Sequence, residues 1–195
     1  MTTIKALFEG EKMRLMHLIV AFVFIALCPG NESFAEDKVP KVPVIENNIC
    51  PFECCQYGKW ITRSPIKAYK QEGDDSNISF LIQAGEEFKA IGGNVHIIKL
   101  GIITINESFG GFSKGDKVYV LSYRGEGEYD LWYKGKQLDS TDDVWKHGTL
   151  KQSPEFIWWV SVINKDGKRG WLRFKNIGEG GFQTEEKIDG RDSCS

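Results

Sequence analysis

The feature that most limits the fold of this chain is its hydrophobic spacing, which alternates over short runs. After residue 49 no segment of about ten residues or more follows the 3.6-residue apolar repeat of a helix. Short runs rich in β-branched and aromatic residues recur instead, and turn-forming residues separate them. The chain also contains 21 glycines, and 12% of its residues are aromatic. This pattern predicts an all-β protein with many short strands and tight turns.

The clearest pair of strands is a hairpin in FIWWVSVINKDGKRGWLRF, residues 156–174. Asp166-Gly167 supplies a tight turn between the two alternating runs. A two-stranded ribbon is marginally stable in water, so this hairpin must join a larger sheet or barrel. Trp158 and Trp159 are neighbours on one strand and therefore point to opposite faces. We expect one of them in the core and the other exposed, or covered by a second subdomain.

The first 35 residues differ from the rest and predict a secretory signal peptide. A short basic start precedes the apolar run 15–28, and Ser33 and Ala35 place small residues before a cleavage site. An uncleaved membrane anchor is one alternative, but the run is short against the roughly 20 residues of a membrane span. Lipidation at Cys28 is another, but Leu27 is larger than the residue expected there. We expect cleavage after Ala35 and a periplasmic or secreted protein that does not span a membrane.

The charge balance and the motifs exclude several classes of function. The chain has 25 basic and 27 acidic residues, which argues against a nucleic-acid partner. Its paired glycines lack the Gly-Lys-Ser/Thr ending of a phosphate loop. Adjacent acids lie in polar stretches typical of solvated surface, and Asp74, Asp75 and Asn77 lack the ligand order of a calcium-binding EF-hand. We therefore predict no cofactor, no metal and no catalytic residues.

Four cysteines follow the predicted cleavage site, namely Cys50, Cys54, Cys55 and Cys194. An even number in an exported chain favours disulfides. The CPFECC cluster lacks the two spaced pairs of a zinc site, for which His96 and His147 would be further ligands. A nucleophilic Cys54 or Cys55 served by either histidine would need a free thiolate in an oxidising compartment. We predict a bridge from Cys50 to Cys54 or Cys55, and the remaining cysteine can reach Cys194 if the tail returns.

Composition and a weak internal repeat suggest how the chain is divided. Two prolines and alternating charges predict a linker or a poorly ordered N-terminus over residues 36–49. The segments 84–91 and 114–121 share a Gly-acidic start and an alternating strand. We expect residues 139–153 to form a long polar loop, with room for one helical turn at residues 142–145. We expect two small β units, with boundaries at 50–108 and 109–177, and a C-terminal tail at 178–195.

Three stretches resemble a bacterial SH3-like (SH3b-type) domain. They are SPIKAYKQEGDDSNISFLIQAGEEFKAIGG, GDKVYVLSYRGEGEYDLWYKGK and IWWVSVINKDGKRGWLRF. The chain also resembles exported bacterial proteins of unknown function that have a CPFECC-like start and a Trp-Trp-Val hairpin. The resemblance implies small fused or tandem barrels that bind peptidoglycan or peptides in the bacterial envelope without catalysis. Ala68-Tyr69 is the only trace of the ALYDY ligand-groove motif of eukaryotic SH3 domains. The resemblance therefore does not imply that this chain recognises proline-rich peptides.

We therefore expect an exported, non-catalytic binding module for a peptide, peptidoglycan or another envelope protein. An inhibitor or immunity-type protein that blocks a secreted enzyme is one alternative, and a Cys-dependent hydrolase is another. Exposed aromatic side chains bury much area at low entropic cost, which suits them to ligand contacts. The same residues could instead fill the core or join the two halves. The candidate ligand contacts are Tyr123, Tyr129, Trp132 and Trp159, with Glu126 and Glu128 in the loop between them.

Overall fold

The computed structural model describes residues 38–125, 128–138, 142–175, 188–191 and 193, all of which belong to one compact unit. The predicted all-β class is confirmed, because strands contain most of these residues. None of the helices in the described ranges has the length and apolar character that a membrane crossing requires. The predicted leader, with Cys28 and Ala35, lies outside the described residues.

The elements follow one another in chain order. The first group contains β1 (Val44–Glu46), β2 (Gly58–Thr62), β3 (Ile66–Gln71), β4 (Asp74–Ile82) and β5 (Glu87–Lys99). The second group contains β6 (Gly101–Ile105), β7 (Lys117–Gly125), β8 (Glu128–Tyr133), β9 (Lys136–Leu138), the short helix α1 (Asp142–His147) and β10 (Gly148–Gln152). The third group contains β11 (Glu155–Ile163), β12 (Arg169–Lys175) and β13 (Ile188–Asp189).

The larger sheet has eight strands in the order β13-β2-β5-β11-β12-β3-β4, and β1 also pairs with β5. The long β5 accommodates two partners on one edge, because β2 pairs with its first half and β1 with its second half. The predicted hairpin is β11–β12, which is in register from Ile157–Lys175 to Ile163–Arg169. The connection between β11 and β12 spans residues 164–168 and is therefore longer than the predicted two-residue turn at Asp166-Gly167. The amide of Asn164 donates to the carbonyl of Lys168, and Gly167 has a φ of 78°.

An aromatic cluster fills the core of the larger sheet. Trp158 has no exposed surface, and its ring lies 5.9 Å from that of Trp60 and 5.3 Å from that of Phe174. The indole nitrogens still find partners, since Trp60 Nε1 donates to the Gln56 carbonyl at 3.1 Å. Buried indole N–H groups without a partner would cost stability. The cluster therefore combines a large apolar area with satisfied donors.

The smaller sheet has the order β10-β6-β7-β8-β9, and its central strand β7 is covered on both faces. Residues 118–122 of β7 are all buried, as expected for a strand without a solvent face. Tyr119 and Leu121 pack into the core of the larger sheet. Val118 and Val120 pack into a second core that includes Val144 of α1. One face of β7 therefore packs in the core of the larger sheet, and its other face packs in the core of the smaller sheet.

The predicted closed barrels need correction. The two antiparallel sheets are open and do not close into barrels. Strands β6–β10 form a sheet of their own between β5 and β11, and β11 and β12 then return to the larger sheet. A division between residues 108 and 109 therefore does not separate the two sheets. The expected polar loop at 139–153 contains α1 and β10 among its described residues.

The segment predicted as a linker over residues 36–49 is ordered from residue 38 onward and connects the two sheets. Its strand β1 pairs with β5 of the larger sheet. Trp132 Nε1, in the smaller sheet, donates to the carbonyl of Lys38 at 2.7 Å. The buried Ser122 hydroxyl of β7 lies 2.7 Å from Glu46 Oε2 and 3.1 Å from Asp130 Oδ2. The prolines of this segment disfavour a helix, but they are compatible with an extended strap.

Candidate functional site

The candidate site lies where the β3–β4 hairpin meets β12. Tyr69 and Trp171 form the only register pair between β3 and β12, whereas β12 pairs with β11 along its whole length. Gly170 permits the close approach at this point. A Cβ atom built there would lie 2.9 Å from Ala68 Cβ and 2.9 Å from Phe80 Cε1. The two strands therefore share a single register pair and form no further ladder with each other on either side of it.

A cleft with a volume of about 280 Å³ opens between these two strands, and we call it the β3/β12 cleft. Its size is close to the lower end of small-ligand sites, which run from roughly 300 to 1,000 Å³. Side chains and backbone of both strands form its walls. The lining residues are Pro65, Ile66, Lys67, Tyr69, Leu172 and Arg173.

The charge of the cleft is positive. Lys67 is exposed and makes no hydrogen bond or ion pair with the residues that the structure describes. Arg173 is about one third exposed, and its Nε lies 3.3 Å from Asp75 Oδ2. None of the described lining residues is acidic. Asp75 offsets part of the charge of Arg173, whereas Lys67 retains its full charge in solvent.

A polar cluster fixes the turn of the β3–β4 hairpin against β5. The carboxylate of Glu72, in that turn, accepts from Asn94 Nδ2 at 2.9 and 2.8 Å. The same carboxylate lies 2.6 Å from His96 Nε2. A Cβ atom at Gly73 would lie 3.6 Å from the His96 ring, so the turn rests directly on β5. We call Glu72, Asn94 and His96 the hairpin latch.

Trp159 lies beneath this hairpin, beside the latch. Its ring centroid is 5.9 Å from that of Tyr69 and 6.3 Å from that of His96. Only 2% of its surface is exposed. Trp159 is therefore neither exposed nor covered by a second subdomain, because the β3–β4 hairpin of its own sheet buries it. Its ring is not accessible to a ligand in this structure.

The other predicted ligand contacts do not form one exposed surface. The rings of Tyr123 and Tyr129 lie 5.1 Å apart on the smaller sheet, and both are half-buried. Trp132 is half-buried and is hydrogen-bonded to the N-terminal segment. Glu128 is exposed at the start of β8, and Glu126 lies outside the described residues. Trp159 belongs to the larger sheet, so these candidates do not define a single site.

The acidic turn considered for calcium is occupied by its own side chains. The carboxylate of Asp74 accepts from the amide and hydroxyl of Ser76 and from Asn77 Nδ2. These bonds, led by that from the Ser76 hydroxyl, lower the pKa of Asp74 from 3.8 to about 2. Among the described residues, no group of three His, Cys, Asp or Glu side chains could hold a metal ion. Asp74 therefore stabilises the turn next to the cleft.

The cysteine prediction is confirmed for one bridge, since Cys50 is bonded to Cys55. Cys54 is disulfide-bonded as well. Cys194, the partner considered for it, lies outside the described residues, but the amide of Ser193 donates to the carbonyl of Cys54 at 2.9 Å. The tail thus returns to the cysteine cluster. While the bridges are intact, the cysteines of this cluster carry no free thiolate that could act as a nucleophile.

The bridged loop also packs against the aromatic core. Tyr57 and Trp158 both donate to the carbonyl of Ile49, at 2.6 and 3.2 Å. Burial raises the pKa of Tyr57 to about 12, and its hydrogen bond with Trp158 opposes this shift. Gly93 gives both side chains room, since a Cβ atom there would lie 2.6 Å from Trp158 Nε1. The cysteine cluster is therefore a structural element of the core.

The residues that form the cleft and the latch are not predicted as a site from the sequence. Lys67 is one of many alternating charged residues on strands, and Arg173 lies in the return strand of the hairpin. Glu72 lies more than 20 residues from its latch partners, so their spacing carries no signal. From the sequence, His96 is a candidate only as a zinc ligand or as the partner of a nucleophilic cysteine. The trace of the SH3 ligand-groove motif at Ala68-Tyr69 is the sequence feature that lies on a wall of the cleft.

Comparison of the chain with known protein families, with curated proteins and with solved structures gives no match.

Proposed function

We propose that this protein is an exported, non-catalytic binding module that holds a peptide or the peptide part of peptidoglycan in the β3/β12 cleft. The observation that carries the proposal is the cleft between two strands that share a single register pair. Extended peptides commonly bind by adding main-chain hydrogen bonds to the edge of a strand. A cleft between two such edges offers partners on both sides of a short extended chain.

The size and the walls of the cleft agree with such a ligand. A volume of about 280 Å³ is suited to a short extended segment. Leu81 and Ile78 of β4 are each 47% exposed. Their register partners on β3 are Lys67 and Tyr69, so all four side chains lie on the same face. This face supplies apolar contacts next to the polar cleft.

Export is the second part of the proposal. The signal-peptide pattern of the first 35 residues supports it, and so does the Cys50–Cys55 bridge, since disulfides persist in oxidising compartments. The resemblance to SH3-like domains of the bacterial envelope agrees with a binding role.

The test is a calorimetric titration of the oxidised, exported protein with muropeptides released from purified peptidoglycan. We expect saturable binding that Tyr69→Ala weakens, because this substitution removes one wall of the cleft. Phe112→Ala, an aromatic truncation in the connection between β6 and β7, is the control and should leave affinity unchanged. Absence of binding to muropeptides and to intact peptidoglycan would refute the proposed function.

A further inference from the structure

We infer that the β3/β12 cleft recognises a free carboxylate of its ligand through Arg173 and Lys67. This inference rests on the proposed function and specifies the chemistry of the ligand. Two cations and no acid among the described lining residues make the cleft complementary to an anion.

Arg173 is held in a position that leaves its terminal nitrogens available. Its backbone is fixed by β11, where Trp159 is its register partner. Its Nε contacts Asp75 at 3.3 Å. A guanidinium carries five N–H donors in a planar fork, so a contact through Nε leaves the two terminal groups for another acceptor. Paired donors of this kind match the two oxygens of a carboxylate.

Lys67 approaches the cleft from the opposite strand. It is exposed and has no ion pair or hydrogen bond with the described residues. Its ammonium is a single mobile charge on a flexible stem, which favours an anion without imposing a geometry. Arg173 therefore orients the carboxylate, while Lys67 adds charge on the other side.

The strand edges distinguish a peptide carboxylate from other anions. Both walls are extended strands, and the only register pair between these two strands is Tyr69–Trp171. An extended peptide can use these groups, and its terminal or side-chain carboxylate then meets the two cations. The apolar face with Leu81 and Ile78 adds contacts for a neighbouring side chain of the ligand. The ligand class is thus a short peptide with an accessible carboxylate.

The experiment compares one muropeptide mixture before and after its carboxyl groups are converted to amides. Hydrogen bonds to charged groups contribute enough that we expect amidation to weaken binding by about 10- to 100-fold. Arg173→Gln should weaken binding of the untreated mixture by a similar factor and should abolish the preference for it over the amidated mixture. Lys67→Gln should reduce affinity less. Lys151→Gln, an exposed lysine on β10, is the matched control and should change nothing.

The outcomes separate the two proposals. If untreated and amidated mixtures bind the wild type equally well, the carboxylate inference is wrong and the proposed function stands. If neither mixture binds, the proposed function fails. Arg173 also contacts Asp75, so thermal unfolding of Arg173→Gln is measured first. Lys67→Gln removes a side chain without described partners. A folded Arg173→Gln that keeps the full preference for the untreated mixture, together with an unchanged preference in Lys67→Gln, would overturn the inference.

Discussion

Replacement of Trp159 by alanine tests whether this tryptophan supports the fold or contacts a ligand. The side chain is 2% exposed and lies beneath the β3–β4 hairpin. Its ring contacts those of Tyr69 and His96. Truncation removes both contacts and leaves a cavity under the hairpin. The hairpin forms one wall of the cleft, so the fold and the site should both be affected.

The expected cost follows from burial. Truncating a buried tryptophan to alanine destabilises proteins by about 3–5 kcal/mol, because apolar contacts are lost and the cavity relaxes only in part. Aromatic pairs such as Trp159–Tyr69 contribute roughly 0.5–1.5 kcal/mol beyond area burial. For a domain of this size the melting temperature should fall by about 6–20 °C. Trp159→Phe keeps a ring in the cavity and should cost about half as much or less.

The assay is equilibrium unfolding in guanidinium chloride with the disulfides intact, combined with the muropeptide titration. We expect the free energy of unfolding to fall in the order wild type, Trp159→Phe, Trp159→Ala. A melting temperature that stays within about 2 °C of wild type, together with a selective loss of binding, would refute the argument. That result would mean that the hairpin opens and that Trp159 contacts the ligand.

Three further predictions concern the crossing, the latch and the turn. Gly170→Ala should destabilise the protein by about 1–3 kcal/mol, because the new Cβ atom would overlap Ala68 and Phe80. The control is Gly92→Ala, where the new Cβ atom has free space, and it should cost less than about 1 kcal/mol in the same denaturation assay. Glu72→Gln should lower the free energy of unfolding by about 1–3 kcal/mol, because a carboxylate with three hydrogen bonds is replaced. The control is Glu53→Gln at an exposed position, which should have no effect. Equal effects of the two substitutions would contradict the role of Glu72 in the latch. Asp74 has its pKa lowered to about 2 in the folded protein, so its contribution to stability is complete above its ordinary pKa of 3.8 and is lost as the pH falls towards 2. The difference in urea midpoint between wild type and Asp74→Asn should therefore shrink between about pH 5 and about pH 2, and a constant difference would show that ionisation of Asp74 does not stabilise the turn.

Local features of this protein follow from the sequence alone. The alternation of apolar residues in β11 and β12, and the Asp-Gly turn signal between them, predict their hairpin because side-chain direction in a strand has a period of two. The bridge from Cys50 to a cysteine within five positions is likewise predictable, since short loops close readily. Neither feature depends on distant parts of the chain.

Other features were decided by contacts between distant segments. Periodicity places Trp158 and Trp159 on opposite faces, but both are buried, because the β3–β4 hairpin covers the second face. The strap of residues 38–48 has the composition of a linker, yet it is ordered by hydrogen bonds to Trp132 and Ser122 on the smaller sheet. The conformational preference of a short segment does not indicate which distant residues will form hydrogen bonds with it.

The β3/β12 cleft depends on tertiary structure most of all. It exists because β3 approaches β12 closely at Gly170 and pairs with it at a single position. Arg173 and Lys67 are more than 100 residues apart in the chain, and only the sheet order brings them to the same cleft. Sequence alternation fixes which side of its own strand each residue occupies. The order in which the strands assemble, and the angle at which they meet, is set by packing of the whole core, and that packing determines which side chains face one another.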